Sequence, residues 1–234
     1  MSWNRLWIVL DRLTTVAMLA AAGTVVWIAT SASASRANPG VGNRASVVEG
    51  VLSPALIARS SAKGQANAKW AIVEFSDYQC PYCARHANEV FPELDKEFVS
   101  TGKIKYLFLN FPLTSIHPHA IAAAQAAECA GAQTRYWDMH DQLFRNQKAI
   151  PQRRFADYGK AIGLEMPTFE DCMSKSAKAT ISDDESLGKR FGVQSTPTFL
   201  IGQVEKDGSI RLERKVTGMM PYPDFKTILN DVMH

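Results

Sequence analysis

Trp70-Ala-Ile-Val-Glu-Phe-Ser-Asp-Tyr-Gln-Cys80-Pro81-Tyr82-Cys83 is the stretch that decides the reading of this chain. Residues 70–76 (WAIVEFS) form a short apolar run with β-branched and aromatic content, which predicts a buried strand. Pro81 suits the first position of a helix, where its missing N–H would be unpaired anyway. The strand therefore runs into Cys80, and a helix is expected over 81–100 with a possible kink at Pro92. Cys80 then stands at the helix N-terminus, where free N–H groups and the helix dipole favour a thiolate, the reactive form of cysteine. Cys83, three residues on, lies one turn deeper. It is poorly placed to meet a substrate first but well placed to attack a mixed disulfide on Cys80. Cys80 reads as the nucleophile and Cys83 as its resolving partner.

A zinc half-site is the alternative for a C-x-x-C pair. Zinc needs two further ligands; His86 projects from the same helix, and no fourth ligand stands at metal-like spacing. Neither metal nor cofactor is expected. Glu74 lies between apolar neighbours in the strand, six positions before Cys80. In a covered strand it would be desolvated with its pKa raised, and could exchange a proton with Cys83. The plainer alternative is an edge carboxylate or one end of an ion pair. Asp77 reads as a loop or capping residue. His86 reads either as an electrostatic influence on the thiolate or as a helix-surface histidine, and His117 and His119 as local structure around Pro118.

Outward from this stretch, residues 103–111 (KIKYLFLNF) suggest a second strand. From His119 to about Phe191 the pattern is helical. Candidate helices over 119–131, 134–147, 152–162, 168–178 and 183–191 are broken by Gly131, Pro151, Gly163 and Pro167. Residues 198–202 (TFLIG) and 209–216 (SIRLERKV) read as strands joined by a turn at Asp207-Gly208, and 222–233 as a closing helix. The class is α/β, with a helical insertion at about 115–191 between the second and third core strands. Thr196-Pro197 stands directly before the third strand.

The 234 residues carry a net charge of +3 with scattered Lys and Arg, which argues against a nucleic-acid partner. The uncharged run at 13–30, preceded by Arg5 and Arg12, is just long enough to span a bilayer. Ala32-Ser33-Ala34 also supplies a signal-cleavage site. Residues 1–34 are thus either a membrane anchor or a cleaved signal peptide, and both export the rest of the chain into an extracytoplasmic, disulfide-permissive compartment. Residues 35–69, rich in Ser, Ala, Gly and Asn, read mostly as tether, with a short helix possible within 46–59; 70–234 reads as the folded domain. Two further cysteines, Cys129 and Cys172, are either buried free thiols or a structural disulfide; an exported setting favours the bridge.

Together the strand–C-P-Y-C–helix unit and the Thr196-Pro197 strand resemble the thioredoxin superfamily. The helical insertion resembles its DsbA-like branch of exported, often membrane-anchored proteins. The resemblance covers about residues 65–234 and rests on Val73 through Cys83, Asn110-Phe-Pro-Leu113 with His117-Pro118, Trp137 through Phe144, and Gly192 through Gly202. It implies a thioredoxin fold in which Thr196-Pro197 is cis and faces the Cys80 sulfur, with an acid at the position of Glu74. Pro81-Tyr82 differs from the Pro-His of the strongly oxidising founding members and matches glutaredoxins, and Thr196 stands where those members have Val. The activity implied is thiol–disulfide exchange with exported cysteine-containing proteins, chiefly as an oxidase in oxidative folding, with a membrane redox partner: a quinone-linked oxidase or a thiol donor. Disulfide isomerase or reductase, and a peptide-binding chaperone with an incidental redox pair, are the rival readings.

Overall fold

The computed structural model describes residues 44–175 and 178–234, all within one compact unit. The anchor or signal read at 1–34, and the tether up to residue 43, lie outside the described residues. Among the described residues no helix is long and apolar enough to cross a membrane.

The strands are β1 (Ala45–Val47), β2 (Val51–Leu52), β3 (Ser61–Lys63), β4 (Trp70–Ser76), β5 (Ile104–Asn110), β6 (Thr198–Val204) and β7 (Ile210–Thr217). They build a seven-stranded sheet in the order β1-β7-β6-β4-β5-β3, with β2 also on β7. The apolar runs β4 and β5 pair in parallel, with Glu74 opposite Phe108. β6 and β7 pair antiparallel as a hairpin, and β6 lies antiparallel on β4 with Glu74 opposite Phe199. Every β4 residue after Trp70 is buried because the strand has neighbours on both sides and layers on both faces.

Alternation divides the two faces. Ala71, Val73 and Phe75 join Leu107, Leu109 and Leu200 in one core layer. That layer is covered by Leu56 of α1 (Pro54–Arg59) and by Leu187 of α7 (Lys178–Arg190). Gly188 lets α7 lie close, since a Cβ there would meet Phe111 at 2.7 Å. Glu74, Ser76, Tyr106 and Phe108 point to the opposite face, toward the helix that follows Cys80.

That helix, α2, runs over 81–99 and widens twice into π turns, at His86–Val90 and Asp95–Val99. The first widening precedes Pro92, which has no N–H to donate and whose ring would crowd the carbonyl four residues back. The Phe91 N–H bonds to the His86 carbonyl instead. The kink expected at Pro92 thus takes the form of a π turn. The insertion comprises α3 (Ala120–Gly131), α4 (Tyr136–Arg145), a 3₁₀ turn (Gln147–Gln152), α5 (Phe155–Ala161), α6 (Met166–Lys175) and α7, and the chain closes with α8 (Tyr222–Met233). Cys129 of α3 and Cys172 of α6 are bridged, with a Cα–Cα distance of 5.7 Å.

One reading is corrected. Residues 44–69 are not tether: they carry β1, β2 and β3, which pair along both margins of the sheet, and α1, which packs on one face. These strands are only two or three residues long and lack an apolar alternation. Their pairing comes from the backbone of β7 and β5, and the segment is held by Leu52, Leu56 and Ala68, all buried.

Candidate active site

Cys80 is the N-cap of α2, with extended backbone geometry (φ −71°, ψ 121°), and Pro81 takes the first helical turn. Its carbonyl accepts the Ala84 N–H at 3.1 Å, and a turn from Asp77 leads into it. The buried Asp77 carboxylate ties that turn together: it accepts from the Gln79 and Leu113 N–H groups and contacts the His117 ring nitrogen, each at 2.7 Å. Asp77 is the loop-capping residue that its position suggested. From the insertion, the Gln147 side-chain amide donates to the carbonyls of Tyr78 at 2.9 Å and Cys80 at 2.8 Å. Tyr78 stacks on Phe108, 5.3 Å between ring centroids, and so wedges the loop against the sheet.

The two sulfurs sit in different surroundings. Cys80 is 4% exposed and Cys83 is fully buried; both are free thiols. The Cys80 thiol donates to the Thr196 carbonyl at 3.3 Å. The Thr196–Pro197 peptide is cis. The Cys80 pKa is lowered to about 6, first by the hydrogen bond from Cys83, then by the Thr196 side chain and by the N–H groups of Cys83 and Tyr82, against the opposing effect of burial. Burial and the neighbouring Cys80 push the Cys83 thiol well up. At neutral pH one sulfur is therefore largely thiolate while the other keeps its proton, the division that stepwise disulfide exchange requires.

Glu74 lies on the same sheet face, buried, with its pKa raised to about 7 chiefly by desolvation. Its Oε2 accepts the Tyr106 hydroxyl at 2.7 Å. Tyr106 in turn contacts His86 Nε2 at 2.9 Å. His86 is fully buried rather than a surface residue, and its pKa is lowered to about 3, mainly by burial. It lies three positions after Cys83, on the inward face of α2. Sequence reasoning missed Tyr106 and Gln147. The alternation of 103–111 places Tyr106 on the Glu74 face only once the β4–β5 register is known, whereas nothing in the sequence aims Gln147 at the Cys80 loop. His119 does not join the site; its N–H bonds to the Gln79 side chain at 2.6 Å.

Beside Cys80 opens a groove of about 560 Å3, lined by Arg44, Tyr82, Arg85, Thr196, Thr217 and Met219 among others. Tyr82 is 58% exposed at its rim.

A thioredoxin family model matches residues 58–217, which include both cysteines, Glu74 and Thr196-Pro197. The chain belongs to the thioredoxin family. Among solved structures, this thioredoxin-family chain is similar to Bacillus subtilis BdbD in its oxidised form (TM-score 0.62, 23% identity, 79% of this chain and 97% of that one). It is also similar to Wolbachia pipientis alpha-DsbA1 (TM-score 0.61, 22% identity, 74% and 89%). In sequence it is 27% identical over 145 residues to the B. subtilis disulfide bond formation protein D, covering 59% of this chain and 65% of that protein. It is 32% identical over 156 residues to the Na(+)/H(+) antiporter NhaA 1 of Salinispora arenicola, covering 66% of this chain. The chain spans about a quarter of that antiporter's length, 23%.

Proposed function

We propose that this thioredoxin-family chain is a thiol–disulfide oxidoreductase of the DsbA type that acts on exported, cysteine-containing proteins. The observation that carries the reading is the split between the two sulfurs: a depressed Cys80 at the helix start and a raised, fully buried Cys83 behind it. In the oxidising direction a client thiolate attacks Cys80 Sγ of the Cys80–Cys83 disulfide. Cys83 leaves and takes up a proton, for which Glu74 is the nearby acid. A second client thiolate then attacks the client sulfur of the mixed disulfide and releases Cys80 as thiolate. Two client thiols become one disulfide, and the enzyme disulfide becomes a dithiol. The stabilised Cys80 thiolate favours that dithiol product, which supports an oxidase over a reductase. Regeneration needs a membrane redox partner, which for an oxidase is quinone-linked. The extracytoplasmic location rests on the run at 13–30 and on the disulfide chemistry itself. Cys129 and Cys172 take no part in exchange in this reading. In the same reading the cis Thr196–Pro197 segment, whose Thr196 carbonyl lies 3.3 Å from the Cys80 sulfur, forms the floor on which the client lies.

Removing the resolving thiol tests the roles. Cys83→Ser should accumulate mixed disulfides with client proteins, visible as higher-mass bands on non-reducing gels, and Cys80→Ser should give none. Trapping by Cys80→Ser alone would reverse the roles. If neither variant traps and both support function in cells, the chain is a peptide-binding module with an incidental cysteine pair.

A further inference from the structure

Glu74 is not held as a bare buried carboxylate. One of its oxygens, Oε2, takes the Tyr106 hydroxyl, while Oε1 is buried without a hydrogen-bond partner among the described residues. The Tyr106 hydroxyl has one proton, and it is committed to Glu74. The Tyr106 oxygen can therefore only accept from the His86 Nε2 that stands 2.9 Å away. While Glu74 Oε2 accepts from Tyr106, the imidazole is the neutral tautomer with its proton on Nε2. His86 Nδ1, buried without a partner among the described residues, then carries no proton. The chain of donors then runs one way, from His86 on α2 through Tyr106 on β5 to Glu74 on β4.

We propose that Tyr106 and His86 are positioning residues for proton transfer: they occupy Glu74 Oε2 and leave Oε1 as the oxygen that takes the Cys83 proton and returns it. The inference rests on the exchange reading above and names how its internal acid is set. The transfer is balanced within the site. When Cys83 becomes a thiolate its proton passes to Oε1, and when Cys83 leaves as a thiolate the proton comes back. No group outside Glu74 and Cys83 changes charge. The titratable groups facing this chain are Cys80 and Cys83 from the α2 side, Tyr78 in the loop before α2, and His140 from α4, which bears on His86. None of them is a cation poised to hold Glu74 ionised, so the Tyr106 hydroxyl is the main influence lowering the Glu74 pKa against the effect of burial.

The test is the pH dependence of exchange with a model disulfide peptide, read in Tyr106→Phe, His86→Phe and Glu74→Gln. Phenylalanine keeps the ring of Tyr106 and is somewhat larger than the buried imidazole of His86, and far-UV circular dichroism establishes that each variant is folded. Losing a hydrogen bond to a charged group should move the Glu74-dependent limb upward by about one pH unit in Tyr106→Phe. His86→Phe should move it in the same direction by less. In a Glu74→Gln background neither substitution should shift the profile further. A Tyr106→Phe profile that overlays wild type, while Glu74→Gln changes it, overturns the proposal. So does a Tyr106→Phe shift that persists in Glu74→Gln. An effect confined to thermal stability would make the pair structural. Exchange that survives Cys80→Ser would instead sink the exchange reading itself, a separate outcome.

Discussion

The chemistry of Cys80 depends on what donates to its sulfur. Its pKa is lowered to about 6 by Cys83, Thr196 and helix N–H groups, and a sulfur that titrates there is mostly thiolate at neutral pH. Thiolate absorbance near 240 nm should accordingly titrate with a midpoint near about 6 in the reduced protein. Cys83→Ala, which removes the leading donor, should move that midpoint upward. An unchanged midpoint would mean that the helix N–H groups and Thr196 suffice. Stability follows with a definite sign. A thiol whose pKa is lower folded than unfolded stabilises the fold in full above its unfolded value of 9.0, and that contribution declines as pH falls, to be lost by about 6. Glu74 acts in the opposite sense, because its folded pKa lies above the usual carboxylate value.

At the scale of elements, the insertion is joined to the sheet by polar contacts as well as packing. Asn110, at the end of β5, donates its backbone N–H to Asp184 of α7 at 3.0 Å and its side-chain amide to Glu128 of α3 at 2.8 Å. Arg59, at the end of α1, pairs with Asp184 at 2.8 Å. Burial raises Glu128 to about 7 and Asp184 to about 6. A carboxyl whose pKa is higher folded than unfolded binds its proton preferentially in the fold, so its contribution to stability declines as pH rises from about 4 to about 7. Glu128→Gln keeps an acceptor for Asn110 and removes this loss. Relative to wild type, its urea midpoint should be higher at pH 8 than at pH 5, and parallel midpoints at the two pH values would refute the assignment. The same elements mark what was legible in the sequence. β4, β5 and the β6–β7 hairpin announce themselves because their apolar runs are buried by sheet neighbours. The insertion helices show through Ala-rich runs bounded by Gly and Pro. β1 to β3 do not, since two or three backbone pairings leave no periodic trace. Cys80, Cys83 and Glu74 could be picked out because strand, Pro81 and spacing act locally. Tyr106 and Gln147 join the site through register and tertiary packing, which a linear pattern does not encode; His86 is a candidate from its place on the helix, but its burial against Tyr106 is not legible there.

For the molecule as a whole, one covalent link joins the two cysteines outside the C-x-x-C pair. The Cys129–Cys172 bridge closes a loop with a sequence separation of 43 between two insertion helices. A loop of that length is worth about 3–4 kcal/mol through the unfolded chain. Replacing both cysteines by Ser should lower Tm by roughly 10 °C. Exchange per folded molecule should stay near wild type, and a loss of exchange at temperatures where the variant is still folded would give the bridge a catalytic part. The short strands at the margins of the sheet bear on a different hazard. An open, regular edge is a template on which other extended chains can grow by backbone pairing. In this fold one margin ends on Ala45–Val47 and the other on Ser61–Lys63, three residues each, the second carrying a lysine. On the exchange reading proposed above, unfolded clients with amides free to pair would meet a reactive sulfur without meeting, among the described residues, a long sheet edge to polymerise on.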